Sequence, residues 1–271
     1  MGHVLFLDDL ESVKDRFTLE GKNAIVTGAA GGIGRSTAAA IAELGAKVAL
    51  VDLKIEVAQE NADFIAKKYG VKTIALAADV SDPASVDAMV EKVVKEFGGI
   101  DAVHSNAGIA VSDDSGEMPF ESWQKVVDVN LTSMFLVNKA VALVMRSQGR
   151  GGAVVNTASM SGTIINNLGE GKRSNVAYCA TKAGVAHLTK GMAMDFRNEG
   201  IRFNSISPGY MYSGLHDHMP QEQLDAMTDA EPWKRFGSMN EIGGLVAFLL
   251  TDLASYMTGA DVIIDGGHTV W

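Results

Sequence analysis

Tyr178 and Lys182 stand four residues apart in the run Tyr-Cys-Ala-Thr-Lys. On a helix that spacing puts both side chains on one face, one turn apart. An ammonium held beside a phenol favours the phenolate and draws the tyrosine pKa down from its reference of about 10. A phenol tuned in this way serves as general acid or base toward an alcohol or a ketone. The pair alone is a weak signal, because the same spacing occurs by chance in many helices. Its weight depends on what else the chain builds around it.

An N-terminal strand and glycine turn supply that context. Asn23–Thr27 is a short apolar, β-branched run that reads as a buried strand, and it leads into Gly28-Ala29-Ala30-Gly31-Gly32-Ile33-Gly34. An alanine-rich helical stretch follows, from Arg35 to Leu44. Strand, glycine turn and helix together form a dinucleotide site: glycines let the backbone approach a pyrophosphate, and the helix N-terminus offers free N–H groups. The next strand, Lys47–Val51, ends at Asp52, 24 residues after Gly28, near the expected spacing of about 20. A carboxylate there accepts hydrogen bonds from an adenosine ribose and repels a 2′-phosphate. With Gly31 in place of a basic residue and Lys54 the one nearby cation considered, the expectation is NAD rather than NADP.

β-Branched runs alternate with longer amphipathic stretches, which predicts a parallel sheet covered on both faces. Seven strands are expected: Asn23–Thr27, Lys47–Val51, Thr73–Ala77, Ala102–Ser105, Ala153–Thr157, Arg202–Ile206 and Val262–Ile264. At 271 residues and 47 % hydrophobic content, one α/β domain accommodates the chain. Residues 21–271 are read as that domain and 1–20 as an N-terminal arm packed on the body or on a partner subunit.

Taken in order, these features resemble the short-chain dehydrogenase/reductase family over nearly the whole chain, from Leu19 to Trp271. The motifs are Thr27–Gly34, Asp79-Val80, Asn106-Ala107-Gly108, Asn130, Ser159, Tyr178 with Lys182, Pro208-Gly209 and Asp265-Gly266-Gly267. The resemblance implies a doubly wound Rossmann fold and an oxidoreductase that interconverts a secondary alcohol and a ketone. It implies Tyr178 as acid/base, Lys182 on the nicotinamide ribose, Ser159 on the substrate oxygen and Asn130 as holder of a relay water. The cofactor would be held by Gly28, Gly32, Ile33, Gly34, Asp52, Asp79, Val80, Asn106, Ala107, Gly108, Tyr178, Lys182, Pro208, Gly209, Met211 and Ser213. Ser105 and Ala158 depart from the family's usual residues without removing a catalytic group, and the 19-residue gap from Ser159 to Tyr178 is longer than usual, the extra length falling in Thr163–Val176.

Around Ser159–Asn166, His187-Leu188 and Ser207–Tyr210 the chain is similar to polyol dehydrogenases and ketose reductases of the family. Other small alcohols, hydroxysteroids and 3-oxoacyl thioesters stay open, as does a dinucleotide-binding regulator without turnover. The family's pairing of two long helices across a subunit interface implies a homotetramer, with Glu121–Gln148 and Val176–Asn198 as those helices.

The net charge of −10 argues against nucleic acid and anionic membranes as partners. No apolar segment is expected to reach the ~18 residues of a membrane span. The single cysteine, Cys179, forms no internal disulfide and fits a cytoplasmic setting; it is expected to be inert. His216 and His218 lack partners at a metal-ligand spacing, so no metal is expected. The segment Tyr210–Glu231 reads as a substrate lid, and Gly169–Arg173 as solvated loop charge.

Overall fold

The computed structural model describes residues 12–111, 115–165, 175–213, 220–229 and 231–271. The start of the N-terminal arm, the inserted residues 166–174 with their Gly169–Arg173 charges, and His216 and His218 lie outside the described residues.

Seven parallel strands form one sheet in the order β3-β2-β1-β4-β5-β6-β7. They are β1 (Asn23–Thr27), β2 (Lys47–Asp52), β3 (Thr73–Ala77), β4 (Ala102–Ser105), β5 (Gly152–Thr157), β6 (Ile201–Pro208) and β7 (Asp261–Ile264). All seven expected strands are present, and four extend further than their apolar runs. Backbone pairing sets those ends: Asp52 pairs with Ala77, Gly152 with Ile201 and Pro208 with Ile264. Because β1 pairs with both β2 and β4, the strand order reverses at β1, and a crevice opens there at the carboxyl edge.

Alternation along each strand divides the core into two layers. Val26, Val48, Leu50, Val155 and Ile206 pack toward α2 (Gly32–Glu43) and α9 (Met239–Leu250). Ile25, Val51, Val103, Val154 and Phe203 pack toward α4 (Pro83–Phe97) and α6 (Ser133–Gln148). Each aliphatic or aromatic side chain fully buried in this way contributes about 1.5–3 kcal/mol. The remaining helices are α1 (Val13–Arg16), α3 (Ile55–Tyr69), α5 (Phe120–Val127), α7 (Val176–Asp195) and α8 (Gln221–Asp229). From α1, the Arg16 Nη2 donates to the Asp252 carbonyl at 2.7 Å, tying this part of the arm to the body.

Three helices differ from expectation: α7 ends at Asp195 rather than Asn198, with a 3₁₀ turn over Arg197–Glu199, and two others differ more. α2 starts at Gly32 rather than Arg35, because glycine's low helix propensity hides a first turn that tertiary packing enforces. The long helix expected over Glu121–Gln148 is divided by a π-helical turn, Asp128–Thr132, between α5 and α6. Taken as one helix, Phe120–Gln148 is long and apolar enough to cross a membrane by length and composition, its most apolar 18-residue stretch having a mean hydropathy of 1.4. This corrects the expectation of no such segment: Asn130, Thr132 and Ser133 interrupt the apolar run without lowering its mean enough. Its Met134, Val137, Val141 and Met145 are buried in this fold.

Candidate active site

Tyr178 and Lys182 lie in the first two turns of α7, as their spacing predicts, with Lys182 Nζ 5.5 Å from the centre of the Tyr178 ring. The expected depression of the tyrosine pKa is corrected by the structure. Burial pushes Tyr178 above its ordinary value of 10.0, while its hydrogen bond with Ser159 acts the other way. Lys182 is the group that moves down, to about 8, through burial. At this separation desolvation of both groups outweighs the attraction of ammonium for phenolate. Lys182 Nζ donates to the Thr157 carbonyl at 2.7 Å, which gives the buried ammonium an anchor at the end of β5.

Ser159 follows that strand end in extended backbone and starts a short 3₁₀ turn, Met160–Gly162; its Oγ accepts the Ser161 N–H at 3.1 Å. The strand therefore ends by turning one hydroxyl toward Tyr178. Cys179, beside Tyr178, is buried, and burial raises its thiol pKa.

Asn130 lies in the π-helical turn and is fully buried. Its Oδ1 accepts the Ile109 N–H at 2.8 Å, and its Nδ2 donates to the Ile109 carbonyl at 2.8 Å and the Thr181 hydroxyl at 3.3 Å. The side chain thus clamps the loop after β4 to α7. Gly108 lies in that clamp: a Cβ there would stand 3.3 Å from Asn130 Oδ1 and 3.5 Å from Lys182 Nζ.

The glycine turn sits across the crevice. Gly28 has a left-handed φ of +67°, and a Cβ on Gly34 would lie 2.2 Å from the Gly28 carbonyl oxygen, so neither position admits a side chain without displacing backbone. Asn106 and Ala107 give their backbone N–H groups to Thr27 Oγ1 at 2.9 and 3.2 Å, and Asn106 Nδ2 donates to the Thr27 carbonyl at 3.1 Å. Gly32 opens α2 and Ile33 packs against the core, while no side chain caps the helix start among the described residues. Ser213 stands over this turn, its Cβ 3.9 Å from the position a Gly32 Cβ would take. Pro208 closes β6, Gly209 donates to the Ile264 carbonyl at 3.0 Å, and Met211 bridges to Gly237.

At the outer corner the Asp52 carboxylate is held by two backbone amides: Oδ2 accepts from Ala30 at 2.9 Å and Oδ1 from Lys54 at 3.0 Å. Asp79 is occupied locally, with Oδ1 accepting the Ser81 N–H and hydroxyl at 2.9 and 2.6 Å, which lowers its pKa; Val80 beside it is buried. A cavity of about 670 Å³ adjoins this corner, lined by residues of α2, α3 and α9 that include Arg35, Ser36, Asn61 and Lys68. Asn61 Nδ2 reaches from it to the Ala29 and Ala30 carbonyls.

Thr157, Thr181, Arg35 and His104 were not singled out from the sequence, and Thr27 was read only as the first residue of the glycine motif. His104 carried the clearest signal, an imidazole inside a strand whose both faces must be buried. Its Nε2 lies 2.9 Å from Thr157 Oγ1.

With this geometry in place, comparison with known proteins is informative. The family model described as enoyl-(acyl carrier protein) reductase matches residues 28–269. The chain is 39 % identical over 261 residues to an NADP-dependent mannitol dehydrogenase of Alternaria alternata, covering 95 % of this chain and 96 % of that one. It is 38 % identical over 260 residues to D-threitol dehydrogenase of Mycolicibacterium smegmatis, covering 96 % and 97 %. A short-chain type dehydrogenase/reductase from Mycobacterium marinum superposes with a TM-score of 0.89 at 41 % identity, covering 96 % and 100 %. An NADPH-dependent 3-quinuclidinone reductase from Rhodotorula rubra does so with 0.87 at 33 %, covering 98 % and 97 %.

The cofactors in two of those names overturn the NAD expectation drawn from Asp52. Two exposed cations of this region, Arg35 and Lys54, are in keeping with that correction. Sheet order, glycine turn and the Ser159–Tyr178–Lys182 cluster, with these matches across almost the full length, place the chain in the short-chain dehydrogenase/reductase family.

Proposed function

We propose that this oxidoreductase interconverts a polyol and its ketose, using NADP(H). The observation that carries the reading is the convergence of Ser159, Tyr178 and Lys182 at the carboxyl edge of β5, facing the glycine turn across the crevice. The polyol assignment is supported by the mannitol and threitol dehydrogenases among the relatives.

The residues suit a dinucleotide. Gly28 and Gly34 leave room where a Cβ would collide with backbone, and the uncapped start of α2 offers N–H groups to a pyrophosphate. Ile33, Asn106, Ala107, Gly108, Pro208, Gly209, Met211 and Ser213 would line the rest of the groove, with Asp79 and Val80 toward the adenine and Arg35 and Lys54 toward a 2′-phosphate. The nicotinamide supplies or accepts the hydride.

The chain's own residues handle the proton. At neutral pH the raised pKa keeps Tyr178 a phenol, the form that donates a proton to a carbonyl oxygen as a ketone is reduced. Ser159, hydrogen-bonded to Tyr178, would hold the same oxygen and stabilise the charge that builds on it. Lys182, with a pKa of about 8, is mostly protonated at neutral pH. Asn130 would keep the loop that carries Gly108 and Ile109 in place beside Lys182.

A homotetramer is part of this proposal. Phe120, Phe135, Leu143 and Met194 on α5, α6 and α7 are exposed apolar side chains suited to a subunit contact, and sedimentation showing a monomer would remove that part. The test of function is initial rates with NADPH and NADP against ketoses, polyols, apolar alcohols and 3-oxoacyl thioesters. Turnover confined to ketoses and polyols supports the reading, and turnover only on apolar alcohols or thioesters replaces its substrate.

A further inference from the structure

We propose that His104 is a positioning residue for this reaction, holding Thr157 so that its carbonyl seats Lys182 and its hydroxyl orients Asn106. The inference rests on the reading of Lys182 and Tyr178 given above.

The hydrogen-bond directions fix the imidazole's tautomer. Thr157 Oγ1 carries one proton, and Asn106 Oδ1, 3.1 Å away, can only accept it. The Asn106 amide is held in this orientation because Nδ2 donates to the Thr27 carbonyl at 3.1 Å. His104 Nε2, 2.9 Å from the same hydroxyl, must therefore be the donor. The proton is on Nε2, and Nδ1 is a bare acceptor, buried without a hydrogen-bond partner among the described residues. A continuous chain results: His104 to the Thr157 hydroxyl, to Asn106, to the carbonyl of Thr27 at the glycine turn. The carbonyl of Thr157 meanwhile accepts from Lys182 Nζ at 2.7 Å. One threonine thus joins the nucleotide side of the crevice to the catalytic lysine, and His104 holds that threonine from below.

His104 is not a proton shuttle. It is completely buried, and desolvation, with Lys182 adding repulsion, lowers its pKa to about 3. It stays neutral wherever an alcohol dehydrogenase works. Nor is it a stability device, because an apolar β-branched residue would fill a strand interior without leaving a buried nitrogen unpaired. A residue that breaks a local rule beside a functional site is most simply explained by the site.

The test compares His104→Val, His104→Gln and His104→Asn with the parent enzyme. Gln places an amide nitrogen near the position of Nε2, whereas Asn reaches only that of Nδ1. The expected result for His104→Val is a kcat lower by about tenfold, the factor associated with one neutral hydrogen bond, with the pH dependence of kcat displaced, the KM for the alcohol unchanged and the melting temperature unchanged or higher. Gln restores kcat and the pH profile, and Asn does not. Nitrogen-15 NMR of histidine-labelled protein gives a readout independent of turnover: one buried imidazole in the Nε2–H form that does not titrate between pH 8 and 5. The proposal is overturned if that imidazole is Nδ1–H or titrates normally. It is overturned equally if the Val variant loses stability but keeps the parent's kcat and pH profile. Failure of the substrate assignment would appear instead as a parent enzyme inactive on the sugar panel, with the NMR result unaffected.

Discussion

The two halves of the sheet are built differently. In β1 and β2 the buried polar residues, Asn23 and Thr27, stand at the two ends of β1, and the interior is otherwise apolar: Ala24, Ile25 and Val26, then Val48 through Val51. In β4, β5 and β6 it includes His104, Ser105, Asn156, Thr157, Asn204, Ser205 and Ser207. One chain of these runs from the Ser105 hydroxyl to Asn138 Oδ1 at 3.0 Å, from Asn138 Nδ2 to Asn156 Oδ1 at 3.0 Å, and from Asn156 Nδ2 to Thr189 Oγ1 at 2.9 Å. On the proposed reading, the glycine-turn half needs only backbone shape to receive a pyrophosphate. The Tyr178 half must, on the proposed reading, hold particular atoms at particular places, and it carries buried polar networks whose paired members stiffen it.

The contrast can be broken from either side. The largest effect is expected from Tyr178→Phe, which removes the acid/base oxygen: kcat should fall by about 10²–10⁴, with dinucleotide affinity by fluorescence titration unchanged. Lys182→Met should also abolish turnover, yet stabilise the fold by up to about 3 kcal/mol at pH 7 in chemical unfolding, since the folded pKa of about 8 lies below the ordinary lysine value of 10.5. The sign follows from proton counting. Between those two values the unfolded chain still binds the proton that the folded chain has released, so the lysine's contribution to stability rises with pH across that window. Below pH 8 its penalty is fully present. In the other half, Gly34→Ala should destabilise by about 1–3 kcal/mol through overpacking, and weaken dinucleotide binding together with stability, because the same backbone serves both. The smallest effect is expected from Lys54→Ala, an exposed cation: about a threefold to fivefold rise in the KM for NADPH, on the scale of a surface ion pair, with kcat unchanged.

The same contrast decides what was legible in the sequence. Four glycines after a β-branched run announce a turn, and alternation of strand and helix announces the parallel sheet, so the nucleotide half and the architecture could be read from local pattern. The Tyr178–Lys182 spacing was equally local and correctly put both on one helix face. The electrostatics were not local: which pKa moves depends on burial produced by β5 and the loop after β4, residues far away in the chain. The joint role of Thr157, Asn106 and His104 was invisible for the same reason, since it arises only when β4 and β5 lie side by side. The NAD expectation rested on Asp52 and Lys54 and left Arg35, an exposed cation in the first turn of α2, out of account.

The most direct test of the account is NADPH oxidation with a ketose panel, run in parallel on the parent enzyme and Tyr178→Phe, with NADPH affinity measured on both. The account predicts turnover by the parent, a loss of at least about a hundredfold in the variant, and equal affinity for NADPH. Turnover retained by Tyr178→Phe, or lost only together with NADPH binding, would contradict the division of labour between the two halves.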